Sequence, residues 1–343
     1  MKKYIYIEIV YILLVIYILT YQVNRKAYGD AAKPFPGVMV TLAPQKVKEM
    51  RAAVDMLHKA KGMVDIQTVQ KLAGQLSWAS GLFPWIKGFN SALWAAITAH
   101  TSEQEKYSLK QEKYSLKKRP TQLFFVLRIA QAIAWIRMLL AGVIRDAGGN
   151  ALVVQKWTSA ATRLPTLTMC VRSDASPFGF GAILFRNGSP VAWVAEEWSA
   201  LDYALFKGSK RGDPAWQAEW ELLAVLIAVD TWLPRLRCQA MCLVQTDATA
   251  ALHDVARMAG RTPAMNALSA ELALRFESAQ VHFWAEHLNG TLNFECDALS
   301  RLSQGAAIPG ILRRVPQAKT RPRSADFFWA WPRALLQSAP KVQ

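Results

Sequence analysis

Four acidic residues stand where a folded chain could build a site for divalent cations: Asp174, Glu221, Asp247 and Asp297. Two of them end apolar stretches typical of buried strands, and the other two lie in helical patterns. Carboxylates brought close together repel one another and cannot all stay ionised unless cations occupy the site. Hard oxygen ligands select Mg²⁺ or Mn²⁺, and two such ions about 4 Å apart can activate a water and stabilise the leaving oxygen of a phosphodiester. We therefore predict that the four residues are the metal ligands and catalytic residues of a site for two ions.

Each carboxylate also has a simpler interpretation. Asp174 precedes a turn of small residues and could simply be a turn or capping residue. Asp247 could cap the helix that follows it, although capping and metal binding can coexist at a strand end. Asp297 could form a surface ion pair with an arginine one turn later. Glu221 competes with Glu219, because residues two apart on a helix face away from each other and only one can belong to the site.

The elements predicted around these residues follow the order βββαβααβα between residues 166 and 304. The pattern predicts strands over 168–174, 179–185, 190–195, 240–246 and 281–286, and helices over 215–233, 248–258, 262–276 and 293–301. In a mixed sheet with the first and fourth strands adjacent, Asp174 and Asp247 point into one site. A helix over the sheet adds Glu221, and the last helix adds Asp297. The pattern therefore predicts an α/β fold around a mixed five-stranded sheet.

Residues 33–100 have the pattern of a small helical segment. A helix begins at Pro44 and carries an apolar stripe through Val54, and Asp65 can cap a second helix. A third apolar stretch covers 89–97. Basic residues on the outer faces make a plain helical bundle the simplest interpretation of this segment.

Residues 101–165 have the pattern of a linker. The sequence Glu-Lys-Tyr-Ser-Leu-Lys occurs at 105–110 and again at 112–117, a repeat too short for a coiled coil. An apolar helix over 121–146 follows, interrupted by arginines and stopped by two glycines. We interpret it as a connecting helix that packs on the next domain, not as a membrane span.

Residues 1–32 differ in composition from the rest of the chain. Residues 4–21 are almost wholly apolar, interrupted by Glu8, and their length is the lower limit for a membrane span. A membrane anchor and an appended segment of different origin both fit this pattern. The abrupt change in composition favours the appended segment, which we expect to lie outside the folded domain.

The net charge of +16 is unevenly distributed along the chain. Residues 1–166 carry +14 (23 Lys/Arg, 9 Asp/Glu), residues 167–304 carry −4 (11 and 15) and the basic, Pro- and Arg-containing tail 305–343 carries +6 (7 and 1). An acidic module between basic flanks is typical of a protein that binds cations at its centre and phosphate backbones at its flanks. Four cysteines without metal-ligand spacing indicate reduced packing residues, and therefore an intracellular protein of the nucleus or cytoplasm.

The acidic residues lie in a pattern that resembles the ribonuclease H domain of retroelement reverse transcriptases. The resemblance covers about 166–304 and rests on Asp174, Glu221-Leu-Leu-Ala, Thr246-Asp247, and Asn293 followed by Asp297-Ala-Leu-Ser-Arg. The Glu-Leu-Leu-Ala pattern favours Glu221 over its neighbour as the site residue. Residues 38–100, notably Leu72-Ala-Gly-Gln-Leu-Ser-Trp-Ala-Ser80, resemble the helical segment between polymerase and ribonuclease H in such elements.

This resemblance implies a ribonuclease H-like sheet with helices on both faces and a metal-binding tetrad of the four acidic residues. It also implies metal-dependent, endonucleolytic cleavage of the RNA strand of an RNA–DNA hybrid, which leaves a 3′-hydroxyl and a 5′-phosphate. No polymerase motif with paired Asp after a Tyr occurs, so we expect a C-terminal fragment whose reverse transcriptase polymerase domain is missing. His287 opens the family's usual His-x-x-Gly stretch, and it could either pack the loop or contact the product.

Two other functions fit the same sequence. A catalytically decayed remnant would keep the fold and bind nucleic acid without cutting it, although the presence of all four acidic residues argues against decay. A membrane-anchored protein with a ribonuclease H-like fold would use residues 4–21 as its anchor.

Overall fold

The computed structural model describes residues 38–114, 123–143, 154–157, 169–206, 209–236, 241–279, 281–323 and 327–328. The chain divides into two compact units, and one of them, Met1–Met39 with Lys156–Leu164, is described only at residues 38–39 and 156–157. The other unit, Val40–Gln155 with Pro165–Gln343, contains the elements that build the site. The apolar residues 4–21 lie outside the described residues. In the described ranges, no helix is both long enough and apolar enough to cross a bilayer.

The part of the chain before the large sheet is mainly helical. Its elements in chain order are β1 (Val38–Thr41), α1 (Pro44–Lys59), β2 (Met63–Asp65), α2 (Ile66–Leu82), α3 (Lys87–Tyr114), β3 (Leu123–Phe125), α4 (Ala130–Leu140) and β4 (Val154–Trp157), with 3₁₀ turns at Pro84–Ile86 and Val126–Ile129. The predicted start of α1 at Pro44 is confirmed, and its apolar stripe is buried at Val54. The Asp65 side chain caps α2 as predicted, because it accepts a hydrogen bond from the backbone N–H of Gln67.

The predictions for the middle of this segment need two corrections. α3 continues well past the predicted apolar stretch and ends at Tyr114, beyond the first copy of the short repeat. The predicted helix over 121–146 is wrong at its start, where β3 pairs antiparallel with β2. Within the described residues 123–143, the α-helix is α4. Phe124 is fully buried, whereas its neighbours Leu123 and Phe125 are exposed. Aromatic residues favour such strands, in which one face is buried and the other is exposed.

The second part of the chain forms a five-stranded mixed sheet. Its elements in chain order are β5 (Met169–Ser176), β6 (Gly179–Arg186), β7 (Ser189–Glu197), α5 (Ala200–Leu205), α6 (Gln217–Leu236), β8 (Met241–Thr246), α7 (Thr249–Arg257), α8 (Pro263–Ser278), β9 (His282–His287) and α9 (Phe294–Ser300). The strand order is β7-β6-β5-β8-β9, with β6 antiparallel to both neighbours and β5, β8 and β9 parallel. The predicted α/β class, the mixed five-stranded sheet and the adjacency of the first and fourth strands are confirmed.

Helices cover both faces of this sheet. On one face α6 packs against β5 and β6, and its run Leu222–Val229 is entirely buried. On the other face α9 packs over β5 to β7, where Leu299 joins a cluster with Ile183 and Trp193. Burial of α6 on nearly all sides holds it rigidly against the sheet, so any side chain it points toward β5 has a fixed position.

The helical segment packs against α8. Ala270, Ala273 and Leu274 of α8 belong to the same core as the buried residues of α1 to α4. The contact is closest at Gly88, where a Cβ atom would lie 2.9 Å from the Cβ of Ala270. The side-chain amide of Asn266 also donates a hydrogen bond of 2.7 Å to the Gly88 carbonyl. A glycine is therefore needed where α3 meets α8.

The chain beyond residue 304 packs along β7. The backbone N–H of Trp193 donates to the Pro316 carbonyl, and that of Ala318 donates to the Trp193 carbonyl. Further on, Arg323 is buried and Phe327 joins the core under α6. The described part of the basic tail is therefore built into the sheet domain.

Candidate metal centre

Three of the four predicted site residues come together between β5, β8 and α6. Asp174 lies in β5 opposite Gly181, and Asp247 directly follows β8, the parallel neighbour of β5. Glu221 extends from the first turns of α6. One carboxylate oxygen from each residue lies within 4.8 Å of the others, so the three residues, here called the acidic triad, could hold a metal ion.

The structure separates the two competing glutamates on α6. Glu221 faces β5, where its Oε2 accepts a hydrogen bond of 3.1 Å from the backbone N–H of Ala175. Glu219 is also buried, but its Oε1 accepts a hydrogen bond of 3.1 Å from Thr262 at the start of α8. Because the two side chains point to different neighbours, only Glu221 contributes to the triad.

Neutral groups orient each carboxylate of the acidic triad. Ser300 on α9 donates a hydrogen bond of 2.8 Å to Asp174, and Gln217 donates one of 2.8 Å to Glu221. Asn293 donates one of 3.3 Å to Asp247. In the described ranges, no Lys or Arg forms an ion pair with any member of the triad. The hydrogen bonds therefore position the oxygens without neutralising their charge.

Burial and mutual repulsion perturb the protonation of the triad. Burial raises the pKa of the Asp174 carboxyl to about 7, opposed by the Ser300 hydrogen bond and reinforced by the charges of Asp247 and Asp297. Burial also raises the pKa of Glu221, and the neighbouring Asp174 charge raises it further. Both shifts oppose ionisation, and a bound cation would reverse them because it favours the ionised form.

Asp297 lies near the triad but outside it. Its carboxylate is half exposed and forms an ion pair of 2.8 Å with Arg301, the arginine one turn later. Its charge nevertheless raises the pKa of Asp174, so it acts on the same centre. α9 reaches this position because β6 has a glycine beneath it: a Cβ on Gly181 would lie 2.2 Å from the Cβ of Leu299.

The end of β9 and the loop that follows it also contact the centre. The exposed His287 places its Nε2 3.2 Å from the Asp247 carbonyl, so it contacts the backbone and not the carboxylate. A Cβ on Gly290 would lie 3.1 Å from the Asp247 carboxylate, so the backbone passes close to it. The α7 cap is Ala248, which leaves the Asp247 side chain without a capping role.

The composition of the triad fits a hard divalent cation. Its donors are all carboxylate oxygens, which suit Mg²⁺ and Mn²⁺ better than the softer metals that cysteine and histidine bind. Buried charges are normally paired or bound to metals, and these three carboxylates have no paired cation in the part of the chain that the structure describes. The observed geometry thus supports a metal site without identifying the metal.

Sequence reasoning gave no role to the residues that orient the carboxylates. Asn293 and Ser300 lie in the stretch that carries the resemblance, but their contacts depend on how α9 crosses the sheet. Gln217 lies four residues before Glu221, and that helical spacing could have indicated the hydrogen bond between them.

Comparisons with protein-family models, with curated proteins and with solved structures found no match to this chain.

Proposed function

We propose that this protein hydrolyses the RNA strand of RNA–DNA hybrids endonucleolytically, through a ribonuclease H-like domain that uses two Mg²⁺ or Mn²⁺ ions. The observation that carries the proposal is the acidic triad: Asp174 on β5, Asp247 directly after the adjacent parallel β8, and Glu221 on α6. In the described residues, none of the three carboxylates pairs with a Lys or Arg. The sheet order, with its antiparallel β6 between β7 and β5, is compatible with that fold. The sequence resemblance supplies the substrate class.

The roles of the residues follow from their positions. Asp174, Glu221 and Asp247 would hold the ions, with Asp297 completing the site from the exposed side of α9. The ions would activate a water and stabilise the leaving 3′-oxygen of the cut phosphodiester. The protein itself fixes the oxygens through neutral donors and keeps the carboxylates in a buried environment, where their attraction for a cation is strongest.

The substrate would be held mainly outside the acidic centre. The basic residues of the chain's flanks would bind phosphates of the hybrid, and contacts with 2′-hydroxyls would distinguish the RNA strand. A reverse transcriptase polymerase domain would be the natural partner, because it produces such hybrids. Residues 4–21 would have no part in this activity.

Cleavage of a labelled hybrid tests the proposal. The full chain should cut the RNA strand with Mg²⁺ or Mn²⁺ and leave a matching DNA duplex intact. Asp247→Asn should reduce the rate at least roughly a hundredfold, because a carboxylate that would hold the ions is lost. A parent protein that binds the hybrid but never cuts it would instead identify the binding-only alternative.

A further inference from the structure

Two large apolar side chains are exposed beside the metal centre. Leu292 ends the 3₁₀ turn Gly290–Leu292 and Phe294 begins α9, and each is 60% exposed. Single exposed apolar residues are common on proteins. These two are unusual because they stand on either side of one residue that is itself attached to the acidic triad.

That residue, Asn293, fixes their position. It is only 1% exposed, and its side-chain amide donates to the Ser173 carbonyl at 3.2 Å as well as to Asp247 at 3.3 Å. The backbone that carries Leu292 and Phe294 is therefore tied to both strands of the centre. That backbone therefore lies next to carboxylates that would bind the ions.

The charge around them disfavours contact with phosphates. Glu295 and Asp297 follow on the first turn of α9, where Arg301 pairs with Asp297, and the triad itself is acidic. A phosphate could approach the bound ions but would be repelled from the rest of this surface. Affinity here must therefore come from apolar contact with the uncharged parts of a nucleotide.

We infer that Phe294 and Leu292 contact the sugars of the hybrid next to the cut phosphate, an inference that rests on the proposed function. A strand with one phosphate at the ions would bring its neighbouring sugars beside this loop, because Asn293 ties the loop to Asp247 at 3.3 Å. Packing of an aromatic ring and a leucine against sugars buries apolar surface and does not depend on the base sequence. The apolar pair positions the substrate without touching the reacting atoms.

The test measures binding apart from cutting. The full chain and its Phe294→Ala variant are titrated with a fluorescent RNA–DNA hybrid over a range of salt concentrations, in Ca²⁺, with a gel to show that the RNA is intact. We expect about tenfold weaker binding at every salt concentration, because losing the buried apolar surface of one large side chain costs roughly that much. The slope of log affinity against log salt should not change, since no phosphate contact is lost.

Two further variants serve as controls. Phe294→Trp should bind like the parent protein, because it keeps the aromatic surface. Ile311→Ala should also bind like the parent. Ile311 is 52% exposed, but it lies away from the centre. Its neighbour Leu312 packs with Trp193 of β7, and β7 is two strands away from β5 in the sheet. Since Phe294 and Ile311 are both exposed, both variants should fold normally.

Each outcome decides a separate point. Parent-like binding by Phe294→Ala would overturn the inference, and so would a shallower salt slope, which would mean that phosphate contacts had been lost. If the parent binds the hybrid but does not cut it in Mg²⁺, the proposed function fails while the binding comparison still decides the role of Phe294. A parent that does not bind the hybrid would overturn both.

Discussion

In the part of the chain that the structure describes, no Lys or Arg pairs with the acidic triad, although the same domain pairs two other buried acids with arginines. Asp202 accepts two hydrogen bonds from the buried Arg323, and Asp230 pairs at 2.7 Å with the buried Arg275. Uncompensated buried charge is destabilising, so the absence of a Lys or Arg partner in the described residues leaves the triad open to an external cation. The contrast within one domain is stronger support for a metal site than the presence of acidic residues alone.

Exchanging each glutamate of α6 for glutamine should separate its role from that of its neighbour. Glu221→Gln should abolish cleavage of the hybrid without changing the thermal midpoint much, because a metal ligand is lost while a similar side chain remains. Glu219→Gln is the matched control: it can still accept the Thr262 hydrogen bond, so cleavage should stay close to that of the parent. The reverse result in the cleavage assay would show that Glu219, and not Glu221, belongs to the centre.

Stability of the metal-free protein should fall as pH rises from about 4 to 7. The folded Asp174 carboxyl has a pKa of about 7 against an ordinary value of 3.8, so the folded state binds a proton that the unfolded state has released. The free energy of unfolding then decreases by up to about 1.4 kcal/mol per pH unit through this window and levels off above it. Glu221 is shifted in the same direction.

Thermal unfolding in EDTA at pH 5 and pH 8 measures this effect. The midpoint should be lower at pH 8, Mg²⁺ should raise it more at pH 8 than at pH 5, and Asp174→Asn should weaken the pH dependence. A midpoint that rises between pH 5 and pH 8 without metal would contradict the assignment of a raised pKa.

At the scale of elements, the sequence predicts helices and strands that have a long periodic apolar pattern. It does not predict short elements that form only through contacts with other parts of the chain. β5, β6 and α6 carry long apolar patterns, and they lie within a few residues of their predicted bounds. α5 was missed because it has only six residues, although Ser199 and Asp202 form a capping box that could have revealed it. β2 and β3 are three residues each and exist as a pair, so neither has a pattern of its own.

The candidate site was predictable to a similar degree. Asp174, Glu221 and Asp247 could be identified because each stands at a defined place on a strand or helix. The exposure of Asp297 and its ion pair with Arg301 could not be distinguished from metal binding by spacing alone. The orienting contact from Ser300 depends on the close approach of α9 to β6 at Gly181, which is a property of packing.

The tail beyond residue 304 should act as a structural element of the sheet domain. Arg323 is buried with Asp202 and also contacts Glu196 on β7, so Arg323→Ala leaves Asp202 buried without its partner. Removal of one member of a buried pair costs about 3–5 kcal/mol, and we expect a loss of that size in denaturant unfolding. Arg313→Ala is the control, since that exposed arginine of the same tail should change stability by less than about 0.5 kcal/mol. Equal stability of both variants would show that the tail does not hold the domain.

At the scale of the molecule, the helical segment and the sheet domain share α8. One side of α8 contributes Leu268 and Leu272 to the core under the sheet, and the other contributes Ala270 and Leu274 to the core of the helical segment. A helix that is buried in two cores couples their stabilities, because displacing it exposes apolar surface on both sides. The helical segment and the sheet domain should therefore unfold together.

Substitution of two glycines in the helical segment tests this coupling. A Cβ added at Gly88 meets Ala270 of α8 at 2.9 Å, whereas one added at Gly74 of α2 meets nothing within 4 Å. Gly88→Ala should push α3 from α8 and destabilise the protein by about 1–3 kcal/mol, the usual range for overpacking. Gly74→Ala should instead stabilise it by up to about 1 kcal/mol, through helix propensity. Hydrogen exchange should show faster opening of both α3 and α8 in Gly88→Ala, and faster exchange confined to α3 would mean that the two cores open independently.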